Sequence, residues 1–582
     1  MSKRLAALAL ALMLLFSLTG CEDTWEDIPT ETAAQETDTP SLADMPYEVY
    51  DPENFYAALD RLDALGQTPG KEAELTSCYY SLIAELNQLQ TDYALAQLRY
   101  SEDLSSGTYA SDLAAMEETY SEVYDALYQS LETLLTGDYA AFTEALLDNE
   151  ALVSEILDYQ ELDEDLEDLS QQATKVVQFY NELSLEDVSV TVEGEEYTFE
   201  TAEYIEDDDT YWAVYTALTK AENTLLAPQL VELISLHNRE AALYGYDSYA
   251  GLAYENYGRD FTPEDAKALH AAVKECIVPL YQEVEELDYS YEMGDDFSYL
   301  TAEELLDIVS GHIGSVDPNL KLSFDHMVRY GLYSIDYFSG RGDGYTINLP
   351  QYNDAAIFID RLGGASDVET LVHEFGHYNA DIHQNMATLS SGFPLDTSEI
   401  HSQGLEVLFL NCADDLYGEE DSTAQKLNVV YTLLDSIVQG CLQDEFQQEA
   451  YAAAQDHDLT VEELNRLAYR LYSEYGLATD PEAQELYSWV NIPHTFESPF
   501  YYISYATSAI NALDLLSVSQ EDYQKAVDTY MSLTALDSSV SYQDALAQVG
   551  LHSTFEADTL RFIGEGVERY VESVVDLADL AA

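Results

Sequence analysis

His373, Glu374 and His377 stand in the order His-Glu-Phe-Gly-His. On an α-helix, residues four apart share a face, so both imidazoles can reach one cation while Glu374, one step round, lies beside it. This is the H-E-x-x-H arrangement of a zinc hydrolase, two ligands with a neighbouring general base. With 11 His and 112 acidic residues in 582 positions, chance supplies roughly 0.04 such matches. The alternative is a pair of buried histidines bonded to backbone carbonyls. Gly376 speaks against it, because glycine costs a helix about 1 kcal/mol relative to Ala. Close approach of another element would explain it.

The elements that must position these groups can be read from the flanking pattern. Ser366 followed by Glu369 predicts a capping box at a helix start. Beyond it Val368, Leu371, Val372, Phe375 and Ile382 recur at helical spacing and form a core-facing stripe distinct from the His373/His377 face. A catalytic zinc takes three protein ligands and keeps a fourth position open. Asp396 to Glu406 reads as a second helix with Glu399, Gln403 and Glu406 on one face. Glu399, 22 residues after His377, is the expected third ligand; His383 and His401 are the rivals, and Glu399 could instead help cap its own helix. Further on, His494, Tyr501, Tyr502 and Tyr505 lie in one stretch, Ile492 to Ala506. If that stretch is helical, His494, Tyr501 and Tyr505 can share a face.

The run His373 to His377 followed by Glu399-x-x-Ser402-Gln403-x-x-Glu406 resembles the thimet oligopeptidase and oligoendopeptidase F family of zinc peptidases. So do Ile492-Pro493-His494-x-Phe496-x-x-Pro499-Phe500-Tyr501-Tyr502-Ile503-Ser504-Tyr505-Ala506, Arg239-x-x-Ala242-x-x-Gly245-Tyr246 and Tyr345-x-Ile347-Asn348-Leu349-Pro350. The matches run from about Leu236 to the C-terminal region. Two departures stand out: Ala380 where the family often has another His, and His401 where Ala or Pro is usual. The resemblance implies that Glu399, just before the Ser-Gln pair, completes a one-zinc site with His373 and His377. It implies a Tyr hydroxyl and a His against the developing oxyanion, for which His494, Tyr501, Tyr502 and Tyr505 are the candidates. It also implies two helical lobes around a deep substrate channel, and an edge strand that pairs with the peptide backbone.

Taken in order, the chain opens with Lys3-Arg4 and an apolar run from Leu5 to Leu18, too short for an ordinary membrane helix. The run ends in Leu18-Thr19-Gly20-Cys21, which resembles a bacterial lipobox. Residues 1–21 are therefore expected to be a lipoprotein signal, leaving Cys21 lipidated and the protein anchored outside the cytoplasmic membrane. Residues 22–46 are acidic and poor in large apolar side chains, an expected disordered linker. Residues 47–205 are expected to form an N-terminal helical lobe, with long runs at Tyr79–Leu98 and Met116–Leu135 and a β-hairpin around Glu193-Gly194. Residues 206–582 would be the catalytic domain, where Gly344–Ile347 and Ala355–Ile359 read as short strands before the metal helix.

The balance of 21 basic against 112 acidic residues gives a net charge of −91. Such a surface repels polynucleotides, so nucleic acid is excluded as a partner. Besides Cys21, four cysteines (Cys78, Cys276, Cys412, Cys441) are scattered singly and lack zinc-finger spacing. The expectation is a mainly α-helical zinc oligoendopeptidase with a small β-sheet beside the H-E-x-x-H helix. It would cut internal bonds of short unstructured peptides with a metal-activated water and Glu374 as general base. The alternative is a surface lipoprotein that binds peptides or zinc without turnover.

Overall fold

A computed structural model describes residues 40–158, 164–183, 188–287, 300–339, 344–384, 393–478, 486–556 and 558–581. The expected signal and its Cys21, and most of the expected linker, lie outside the described residues. Among those described, no helix is long and apolar enough to cross a membrane. The linker was expected to reach residue 46, but Leu42 and Met45 are buried in the main core. Folded chain thus starts before Tyr47, because those two apolar side chains have a surface to cover.

The molecule is mainly α-helical. The predicted periodic runs become helix α1 (Glu72–Glu102) and helix α2 (Gly107–Leu135), the latter N-capped by the Ser106 side chain. With neighbouring short helices they enclose a separate core that includes Phe55, Leu82, Leu89, Tyr120 and Leu131. The predicted hairpin is strand β1 (Ser189–Val192) and strand β2 (Glu195–Thr198), antiparallel, with Val192 opposite Glu195. Its two-residue turn, Glu193-Gly194, has φ 52° and 94° at its two positions, the conformation that lets a tight turn match strand twist. The hairpin packs on the start of helix α3 (Asp208–Leu243) in a third, small core. The main core reaches back across residue 205 to take in Leu169 and Val176.

The sheet beside the metal helix has three strands: β3 (Tyr333–Asp336), β4 (Gly344–Leu349) and β5 (Asp354–Asp360), in the order β3-β5-β4. β5 runs parallel to β3 and antiparallel to β4. The sequence reading missed β3, whose four residues are too few to show a period. β5 is buried along its whole length, as a central strand covered on both faces must be. Helix α4 (Ser366–Asp381) lies against β4 and β5 on one side and against helix α5 (Leu395–Phe409) on the other. α5 in turn packs on helix α7 (Ile503–Glu521), which also crosses helix α6 (Ala413–Asp456), a helix broken at Gly418.

The capping box expected at Ser366 does not form. The chain enters α4 through Gly363 and Gly364, both at positive φ, so the donors needing partners lie upstream. The buried Asp367 carboxylate accepts from the N–H groups of Leu362 and Gly363, both at 3.1 Å, and pairs with Arg361 Nε at 2.8 Å. No disulfide joins Cys78, Cys276, Cys412 or Cys441.

Candidate active site

Gly376 is where α4 and α5 touch. A Cβ at that position would stand 2.4 Å from the His401 carbonyl oxygen and 2.6 Å from Ser402 Cα, closer than any side chain tolerates. The missing methyl lets the two helices cross backbone to backbone, and that crossing carries Glu399 to the His373/His377 face. Glu399 Oε2 lies 3.5 Å from His373 Nε2 and 3.7 Å from His377 Nε2. One donor atom from each of the three falls within 4.8 Å of the others, and no other such group occurs among the described residues. A tetrahedron with bonds of ~2.0–2.1 Å has edges of ~3.3 Å, so two imidazoles and a carboxylate at these separations fit zinc in both donor type and spacing. The side chains of His373, His377 and Glu399 keep 29%, 15% and 18% of their surface exposed, which leaves the triad reachable from outside.

Charge holds the triad together before any cation arrives. Burial pulls the His373 imidazole down, but hydrogen bonds to Glu399 and Glu406 outweigh it and set its pKa well above the ordinary value. Burial likewise opposes ionisation of Glu399, yet the two histidines keep it well below the usual carboxylate range. Glu406, about one turn along α5 from Ser402, bonds His373 Nδ1 at 2.5 Å. That contact orients Nε2 toward Glu399, the support that ligating histidines characteristically receive. Sequence placed Glu406 on the right helix face without a role; its spacing of seven from Glu399 was the available signal.

Glu374 is 5% exposed. Burial raises its pKa, against the pull of His373 and His377. Its Oε2 accepts from Thr346 Oγ of β4 at 3.0 Å. The two rival ligands lie elsewhere. His401 is buried edge-on to Phe393, ring centroids 4.5 Å apart, and burial and the His377 charge push it down to about 3. His383 follows the end of α4 and is held down by burial.

The second cluster assembles, by a route other than the one expected. His494, Tyr501 and Tyr505 do not share a helix. His494 opens a four-residue helix, the chain reverses at Phe500 with φ 68°, and α7 starts only at Ile503. The reversal still folds His494 onto the tyrosines: its ring centroid is 5.1 Å from Tyr501, 4.9 Å from Tyr502 and 6.0 Å from Tyr505. Burial raises all three phenols; the Glu399 carboxylate adds to the effect on Tyr501 and Tyr505, whereas Asp435 does so for Tyr502. Tyr501 and Tyr505 are therefore the pair under the electrostatic influence of the triad.

Two further groups take parts that the sequence pattern does not show. Arg259, whose side chain is fully buried, pairs with Asp396 at 3.4 Å and donates to Ser504 Oγ at 2.9 Å. Asp396 also accepts from Thr507 Oγ at 2.7 Å, so one guanidinium ties the start of the Glu399 helix to the start of the Tyr505 helix. Glu369, one turn before His373, is pushed up to about 7 by burial and by the Glu406 charge. Because its folded pKa lies above the ordinary carboxylate value, its contribution to stability is intact at acidic pH and lost as pH rises through about 7. Glu369→Gln should therefore raise the melting temperature at pH ~8 by a few degrees and leave it nearly unchanged at pH ~4, as calorimetry at both pH values would show. An equal change at both would mean that Glu369 does not resist ionisation.

Residues 321–565 match the sequence profile of Peptidase family M3, and the triad and the His494 to Tyr505 cluster both lie inside the matched stretch. None of the curated proteins matches the sequence. Several solved structures share the fold. A protein assigned as oligoendopeptidase F is 21% identical over 93% of this chain and 100% of its own, with a TM-score of 0.72. PZ peptidase A, solved with an inhibitor, is 20% identical over 92% of this chain and 100% of its own, also at 0.72. A Bacillus anthracis str. Ames protein assigned as oligoendopeptidase F is 20% identical over 92% and 99%, at 0.69. At such identities the likeness establishes the mainly α fold.

Proposed function

We propose that this chain, a metalloendopeptidase by its peptidase family M3 domain, is a zinc oligoendopeptidase acting on short unstructured peptides. The observation that carries the reading is Glu374, a buried carboxylate beside three convergent donors. Metal storage or peptide capture needs no such group, which counts against a binding lipoprotein without turnover.

His373, His377 and Glu399 would hold the ion. Zinc bound there would supply Lewis acidity and would lower the pKa of a bound water toward about 7. Glu374 takes a proton from the attacking water and returns it to the leaving amine. Tyr501 or Tyr505, with His494, donates to the oxygen on which negative charge develops. A peptide backbone would add to the free edge of β4, which pairs only with β5 among the described residues. Strand addition of that kind tolerates varied side chains. The family resemblance adds a channel that admits flexible peptides and excludes folded proteins.

Export and a lipid anchor at Cys21 belong to the same reading; Lys3-Arg4, the apolar run and Leu18-Thr19-Gly20-Cys21 support them. Short peptides should be cleaved internally, a chelator should stop the reaction, and a folded protein should survive, as mass spectrometry of the products would report. The net charge of −91 should favour cationic peptides at low ionic strength, and salt should erase the preference by screening. Equal cleavage of a native protein would reject the channel. Recovery of the full-length protein from a soluble rather than a membrane fraction would reject the anchor.

A further inference from the structure

Strand β4 meets Glu374 at two points. Thr346 Oγ lies 3.0 Å from Glu374 Oε2 and 3.0 Å from the carbonyl oxygen of the same residue. Two residues earlier on the same strand face, Gly344 has no side chain. A Cβ there would stand 3.0 Å from Glu374 Oε1, 3.1 Å from its Cγ and 2.8 Å from Thr370 Cγ2. The carboxyl therefore rests on strand backbone that only glycine leaves open, with one oxygen on a hydroxyl.

The support itself is fixed. Gly344 pairs with Ile359 and Thr346 with Ile357 in the sheet. Tyr345, pointing to the other face, stacks on Phe358 with centroids 4.8 Å apart and donates to Ser101 Oγ of α1 at 2.8 Å. Strand β4 is thus held from the sheet and from the N-terminal lobe while it touches the base.

We propose that Thr346 is a positioning residue for Glu374, its hydroxyl holding the carboxyl against β4. The inference rests on the reading of Glu374 as general base. One hydroxyl carries one proton, and two acceptors lie at equal distance. An ionised carboxylate is the stronger acceptor, so before proton transfer the hydroxyl donates to Oε2. Oε1, which accepts no hydrogen bond among the described residues, then takes the proton of the attacking water. The hydroxyl thereby holds the carboxyl on β4 while Oε1 stays free. A proton acceptor in catalysis needs that constancy of place.

The test is Thr346→Val against Thr346→Ser in the zinc-loaded protein, with wild-type turnover of a fluorogenic peptide as the control. A wild type that cuts no peptide would reject the proposed function, not this inference. Losing a hydrogen bond to a charged group should lower kcat about tenfold in Thr346→Val, with KM, zinc content and melting temperature unchanged. Thr346→Ser should return kcat to within about twofold of wild type. Crystal structures of the metal-free variants supply a second readout: the Glu374 carboxyl should leave β4 in Thr346→Val and stay in Thr346→Ser. Normal kcat in Thr346→Val, a loss confined to KM or zinc, or an unmoved Glu374 would each overturn the assignment.

Discussion

Glu374→Gln should keep its zinc and lose peptide hydrolysis by ~10³-fold or more, whereas Glu399→Gln should lose the metal itself. The contrast follows from where the two carboxylates sit. Glu399 Oε2 is within 3.7 Å of both imidazoles, inside the space an ion would occupy. Glu374 turns instead to Thr346 on β4, so an amide there leaves the donor set untouched and removes only the proton acceptor. General base catalysis contributes ~10²–10⁴-fold by itself, and the same carboxyl is asked to protonate the leaving amine. Metal analysis of both purified variants, beside kcat on one peptide, separates the roles. Full zinc in Glu399→Gln would mean that another side chain completes the site; a zinc-free Glu374→Gln would make Glu374 a ligand.

Replacing the oxyanion donor should cost ~10²-fold in kcat, the scale of losing one preorganised hydrogen bond in an excluded site. Tyr505→Phe is the first variant to make and Tyr501→Phe the second, because Glu399 acts on both phenols and not on Tyr502. The hydroxyl is needed when charge develops, not when substrate binds, so kcat should fall with little change in KM. Zinc content should stay at wild-type level, since neither phenol belongs to the donor triad. Tyr502→Phe serves as the control from the same cluster. Near-normal kcat in both Tyr505→Phe and Tyr501→Phe would make the cluster ordinary aromatic packing and leave the oxyanion to other groups.

Much of this site can be read without coordinates, where the chemistry is a property of one element. His373 and His377 share a face because four residues make about one turn of any α-helix. Their stripe of apolar neighbours, the Glu193-Gly194 turn and the continuous apolar run of β5 are local in the same sense. Gly376 carried a message that crossed elements: a glycine inside a helix pointed to a close neighbour, and the neighbour is the backbone of His401 and Ser402.

Local rules misled where the chain had a choice of partners. Ser366 and Glu369 have capping-box spacing, yet the donors before α4 are met by Asp367, and Glu369 is left facing Glu406 instead. His494 and Tyr505 come together by a reversal at Phe500, not by helical periodicity. Spacing within the sequence determined the His373/His377 pair, the Glu374 carboxylate beside it and the mainly helical class. Only tertiary packing decided that Glu399 rather than His401 reaches the pair, that Glu406 backs His373, and that Arg259 joins two helices through Asp396 and Ser504. The reason is range: helix geometry fixes neighbours within a turn or two, whereas contacts between distant segments depend on which faces find room to pack.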